Sequence, residues 1–178
     1  MPHSYVECRL HCIFSTEGRR NLIPADVQPR LWAYIGGIVR QDGMTTITVG
    51  GTANHAHVLL AVPATITIAK ALQLIKAGSS LWLHETFPPL SGFAWQEVYA
   101  AFSVSASRID ATMRYIQRQD EHHRTLSFED EFKRFLERHG VEYDQLLTQR
   151  FTLGYTRVLP TGQPAGADNN RRTAAAGP

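Results

Sequence analysis

At 178 residues the chain is long enough to bury one core and too short to expect two domains. Hydrophobic residues make up 43% of it and charged residues 19%, ordinary values for a globular protein, and no apolar run reaches the roughly 20 residues that a membrane-crossing helix needs. A net charge of +2 is too small to hold a polyanion by long-range attraction alone, so any nucleic-acid contact must rest on local basic residues or on a metal.

The N-terminus lacks the basic start and apolar centre of a secretory signal, and the expectation is a cytoplasmic protein. Cys8 and Cys12 match neither a C-x-x-C nor a zinc pattern. They are expected to be small buried side chains in a reducing compartment.

Residues 5–14 alternate, with Val6, Cys8, Leu10, Cys12 and Phe14 on one side and Glu7, Arg9 and His11 on the other, which predicts a half-buried strand. The polar stretch 15–21 is a loop whose exposed Arg19-Arg20 pair reads most simply as solvated, with a nucleic-acid role as the lesser alternative. A helix is predicted over 25–41, with Pro29 in its first turn and Leu31, Trp32, Ile35, Ile38 and Val39 as its apolar stripe. Gly36-Gly37 points to close packing, and Asp42-Gly43 ends the element.

Residues 45–49 are β-branched and predict a second strand, joined by Gly50-Gly51-Thr52 to a third over 54–62. On that third strand His55 and His57 share a face, about 7 Å apart along the chain, while Ala56, Val58, Leu60 and Val62 point into the core. Two imidazoles so placed can bind one cation together, although such a pair is often structural or mere surface decoration. A second helix covers 68–86, can bend at Gly78-Ser79-Ser80, and is closed by Pro88-Pro89. A fourth strand centres on 98–102.

The order β-α-β-β-α-β predicts an α+β, ferredoxin-like (RRM-like) antiparallel sheet with two helices on one face, the other being free for a ligand, a partner or an extra helix. That extra helix is predicted over 108–119, capped by Ser105 or Ser107, with Ile109, Met113 and Ile116 buried. Tyr115 and Gln119 lie together off its apolar stripe, so packing alone does not explain them. The alternative is a boundary tyrosine with its hydroxyl in water.

His122-His123 reads as exposed or phosphate-contacting, since neighbours on a helix point apart. A last helix over 127–139 is capped by Ser127 and buries Phe128, Phe132, Phe135 and Leu136, leaving its charges, Glu131 among them, as a solvated face. A domain over 1–147 is followed by a C-terminal extension, 148–178, expected to be disordered from about residue 159.

His55, His57 and Gln119 could together ligate one Mg²⁺ or Mn²⁺, leaving positions for phosphate oxygens. Tyr115, one turn before Gln119, then becomes a nucleophile whose attack on a phosphodiester leaves a phosphotyrosine and a free 3′-hydroxyl. Such a step is reversible without ATP and amounts to strand transfer.

His55-Ala56-His57 with Val58-Leu59-Leu60, followed by Tyr115-x-x-x-Gln119, resembles the single-tyrosine HUH transposases of IS200/605-type insertion sequences and their relatives associated with repetitive extragenic palindromes. The likeness runs over about residues 4–147, through blocks such as His11-Cys12-Ile13-Phe14-Ser15-Thr16, Val49-Gly50-Gly51, Phe93-Ala94-Trp95-Gln96 and Glu121-His122-His123-Arg124. It implies that His55, His57 and Gln119 hold the metal and that Tyr115 is the nucleophile. It also implies recognition of single-stranded DNA with hairpin ends by a homodimer whose active sites can combine histidines and tyrosine of different subunits.

Two positions depart from the pattern: Ala56 stands where a bulky apolar residue is usual, and Asn54 where an aspartate is common. Lys76, Arg114, Arg118 and Arg124 are the expected phosphate contacts. Competing readings are a non-catalytic nucleic-acid-binding module and a dimeric regulatory or metal-binding protein.

Overall fold

A computed structural model describes residues 5–123 and 127–142. Four strands, β1 (Cys8–Ser15), β2 (Thr45–Gly51), β3 (His55–Val62) and β4 (Ala100–Ser103), form one antiparallel sheet in the order β2-β3-β1-β4. With α1 (Gln28–Gln41) and α2 (Ile68–Thr86) this is the expected ferredoxin-like α+β arrangement. Leu31, Ile35 and Val39 of α1 and Ala71, Leu72 and Ile75 of α2 pack with Leu10, Cys12, Phe14, Ala56, Val58 and Leu60 in the main core.

The helix starts follow local chemistry. Pro29 falls in the first turn of α1, where its missing N–H costs nothing. Thr67 caps α2 by accepting from the Lys70 N–H at 3.2 Å, and Ser127 caps α5 (Phe128–Arg138) by accepting from Asp130 at 3.1 Å. Of the glycine pair, Gly36 alone packs tightly: its carbonyl accepts from Thr46 Oγ1 at 2.9 Å, whereas Gly37 faces open space.

The second face of the sheet is covered, which corrects the reading of β1 as half-buried. Ile13 points away from the main core into a second cluster with Phe102, Phe128, Phe132 and Leu136, so β1 is buried on both sides. His11, on the supposedly polar side, is only 2% exposed.

The helix expected over 108–119 is two helices. A 3₁₀ turn at Ala106–Arg108 leads into α3 (Ile109–Gln117), which breaks at Arg118 (φ −108°, ψ 23°) and resumes as α4 (Gln119–His122). Neither serine caps α3; the hydroxyls of Ser105 and Ser107 bond each other at 3.2 Å instead.

α3 sits on β2 at backbone distance. A Cβ on Gly50 would lie 2.7 Å from the Ile116 carbonyl oxygen, so only glycine permits this approach. Gly50 pairs with His57 across the β2-β3 ladder, and the contact therefore brings α3 beside the histidine strand.

Both cysteines are free, and burial pushes the Cys12 thiol up to about 12. Among the described residues no helix is long and apolar enough to cross a membrane. The expected domain end at 147, the C-terminal extension and Arg124 lie outside the described residues.

Candidate active site

β3 carries His55 and His57 to the face under α3–α5, with exposures of 1% and 0% and ring centroids 5.0 Å apart. Ala56 points the other way into the main core, as its alternation requires.

Each imidazole is oriented through its Nδ1. That of His55 lies 2.7 Å from Asn54 Oδ1 and 3.0 Å from the Thr52 hydroxyl. A carboxamide oxygen only accepts, so His55 Nδ1 carries the proton and Nε2 keeps its lone pair. The Nδ1 of His57 lies 2.9 Å from Nε2 of the buried His11. Asn54 thus orients a histidine.

Gln119, 1% exposed at the start of α4, turns its Oε1 to within 3.2 Å of His55 Nε2. Its Nε2 donates to Glu131 Oε1 at 3.2 Å. Glu131 is 2% exposed, which corrects its assignment to a solvated face. Its Oε1 lies 3.9 Å from His57 Nε2, and its Oε2 lies 3.1 Å from His123 Nε2. His123 is likewise drawn inward, its ring 4.6 Å from that of His55, rather than exposed. The His122 side chain lies outside the described residues.

The sequence did hold a signal for Glu131. It lies three residues after Phe128 and one before Phe132, inside the apolar stripe of α5. A carboxylate there needs a partner.

These groups fit a divalent cation. With Nδ1 protonated, His55 Nε2 and Gln119 Oε1 are two acceptors facing each other at 3.2 Å. That is close to the spacing of adjacent ligands about 2.1 Å from one ion. The donor atoms of His55, His57 and Glu131 all lie within 4.8 Å of one another. Burial pulls His55 down to about 3, aided by His123, and so keeps it neutral, as a ligand must be. Burial also pushes Glu131 up to about 8, a carboxylate that only a positive charge would hold ionised near neutrality.

Tyr115 of α3 presents its ring edge-on to His57 at 5.9 Å and to His11 at 6.3 Å. Its hydroxyl is buried rather than in water. The ring lines a cleft of about 870 Å³ whose walls include Phe102, Phe135, Arg108, Arg138 and His139, with no carboxylate among the lining residues.

Of the expected phosphate contacts, Arg114 and Arg118 are exposed beside this site. Lys76 is committed elsewhere: its Nζ donates to the carbonyls of Gln96 and Glu97, the latter at 2.8 Å, and burial pulls it down to about 8.

A ferredoxin-like sheet thus carries a buried histidine pair beside a helix-borne tyrosine. The chain belongs to the IS200-like transposase family, whose model, Transposase IS200 like, matches residues 4–119. Two solved structures share the fold. A candidate transposase from Deinococcus radiodurans R1 is 22% identical over 67% of this chain and 96% of its own, with a TM-score of 0.53. A REP-associated tyrosine transposase bound to a REP hairpin is 14% identical over 69% of this chain and 73% of its own, with a TM-score of 0.51. No curated protein matches the chain.

Proposed function

We propose that the protein cuts and rejoins single-stranded DNA at hairpin ends, with Tyr115 as nucleophile. His55, His57 and Gln119, joined by Glu131, hold one Mg²⁺ or Mn²⁺. The observation that carries this reading is the convergence, within one chain, of the tyrosine ring and the four buried donors. Family membership supports strand transfer, and the hairpin held by the REP-associated relative supports the substrate class.

When bound, the cation supplies Lewis-acid polarisation of the scissile phosphate. The chain's own residues do the rest. Tyr115 loses its proton and its phenol oxygen bonds to phosphorus; the P–O3′ bond breaks and the leaving 3′ oxygen takes up a proton. The 5′-phosphotyrosine preserves one phosphodiester linkage, so an incoming 3′-hydroxyl can reverse the step. Asn54 and His11 hold the two imidazoles in register, and the acid-free cleft beside Tyr115 suits the DNA strand.

In the homodimer that the family implies, each Tyr115 serves the histidines of its own chain, as the 5.9 Å ring separation favours. A base-stacking module of RRM type needs an open sheet face, and here α5 packs Phe128, Phe132 and Leu136 against that face.

The test uses single-stranded DNA spanning the palindromes that flank the gene. Wild-type protein should form a covalent adduct visible on a denaturing gel in Mn²⁺. Tyr115→Phe should form none while binding the hairpin about as well. An adduct with the phenylalanine variant would move the nucleophile elsewhere.

A further inference from the structure

Arg19 lies in the turn after β1, and two independent features single it out. Among the described residues it alone, glycines aside, has left-handed backbone, with φ 51°. Its Nε and Nη1 are buried and meet no acceptor among the described residues. The neighbouring Arg20, by contrast, is paired with Glu17 at 2.8 Å. A strained backbone and unsatisfied buried donors are both unfavourable, and a structure retains them together where a ligand offsets them.

The location indicates the ligand. The Arg19 guanidinium lies 5.2 Å from the centre of the Phe128 ring, and that ring lies 4.6 Å from the ring of His55. Its positive charge is felt at His55. Glu129 is the acidic group acting on Arg19, yet its carboxylate is held by Lys133 at 3.2 Å. Guanidinium N–H donors without an acceptor suit the anionic oxygens of a phosphodiester.

We infer that Arg19 is a phosphate-binding residue of the site, its guanidinium receiving a phosphodiester of the DNA strand at the edge of the His55 cluster. The inference rests on the transposase reading and adds to it a residue outside both the ligand set and the expected basic contacts.

The test uses the full chain with Tyr115 intact and a fluorescent single-stranded oligonucleotide spanning the flanking palindrome, titrated from about 50 to 200 mM salt. Mn²⁺ binding without DNA is measured by calorimetry alongside. Arg19→Ala and Arg19→Gly should bind the oligonucleotide several-fold more weakly, with the logarithmic salt slope reduced by about 0.7, the value for one phosphate contact on a single strand. Their melting temperatures should equal or exceed that of the wild type, Arg19→Gly most clearly, since glycine accepts the backbone conformation. Their Mn²⁺ affinity should be equal or tighter, because a positive charge has left the neighbourhood. Arg19→Lys should restore the slope but not the full affinity.

Unchanged DNA affinity and slope in the alanine and glycine variants would overturn the inference alone. So would a drop in both melting temperature and Mn²⁺ affinity, which would make Arg19 a structural residue. Failure of the wild type to bind the oligonucleotide would sink the transposase reading and the inference with it.

Discussion

His11 Nε2 and His57 Nδ1 lie 2.9 Å apart, joining two buried imidazoles that are diagonal neighbours on β1 and β3. With its Nε2 given to a cation beside Glu131, His57 would carry its proton on Nδ1 and donate to His11. Burial, with the nearby His139, pulls His11 down to about 3 and keeps it a neutral acceptor. His11 is thereby placed to set the tautomer of His57, the proposed metal ligand.

His11→Ala should lower Mn²⁺ affinity by about 10–100-fold in calorimetry, the usual loss when a ligand's orienting partner is removed. Unchanged affinity would show that His57 needs no such support.

Glu131→Gln should separate metal binding from folding. Without metal at pH 7 the acid, at about 8, is mostly protonated, and glutamine resembles that form. The melting temperature without metal should therefore change little. The rise that Mn²⁺ produces in the wild type should shrink or vanish. A full metal-induced rise in the variant would remove Glu131 from the ligand set.

Stability of the metal-free protein should peak near pH 6.5. His11 and His55, at about 3 against an ordinary 6.5, are held neutral on folding, so stability is lost as pH falls from 6.5 towards 3. Glu131, at about 8 against 4.5, retains a proton that the unfolded chain releases, so stability is lost as pH rises from 4.5 towards 8. Between 4.5 and 6.5 the two histidines outweigh the one glutamate; from 6.5 to 8, below the range in which Lys76 and Cys12 contribute, only the glutamate acts. Chemical denaturation across pH reads this directly, and Mn²⁺ should abolish the decline on the alkaline side. A decline that persists in saturating Mn²⁺ would contradict the assignment.

Gly50→Ala should force α3 away from β2, because the new methyl meets the Ile116 carbonyl at 2.7 Å. A loss of about 1–3 kcal/mol in urea denaturation is expected. Adduct formation should fall further than hairpin binding, since α3 carries Tyr115. Equal losses in both would mean that the contact supports the fold without positioning the nucleophile.

The main core and the histidine pair were legible because period-two alternation survives in β1 and β3, and Pro29, Thr67 and Ser127 mark helix starts by local chemistry. The second face was not. His11 looks like the polar side of a half-buried strand until helices from the C-terminal third cover it, and no local pattern announces that covering. The break at Arg118 carries neither proline nor glycine, and it arises where the chain turns Gln119 towards His55. Glu131 was hidden among Glu129, Asp130 and other charges, although its place in the Phe128–Phe132 stripe set it apart. The sequence shows Arg19 as half of a basic pair in a loop, most simply solvated; its backbone angle and its buried, unmet donors are what set it apart from Arg20, and a sequence does not display them.

In the proposed site four side chains from β3, α4 and α5 converge on one cation beside Tyr115. Anomalous scattering from crystals grown with Mn²⁺ tests it most directly. A single peak about 2.0–2.2 Å from donor atoms of His55 and His57, with Gln119 and Glu131 completing the protein ligands and the phenol of Tyr115 facing the same ion, is the expected result. A fully loaded crystal with its peak elsewhere, or with the two histidines unligated, would contradict the account.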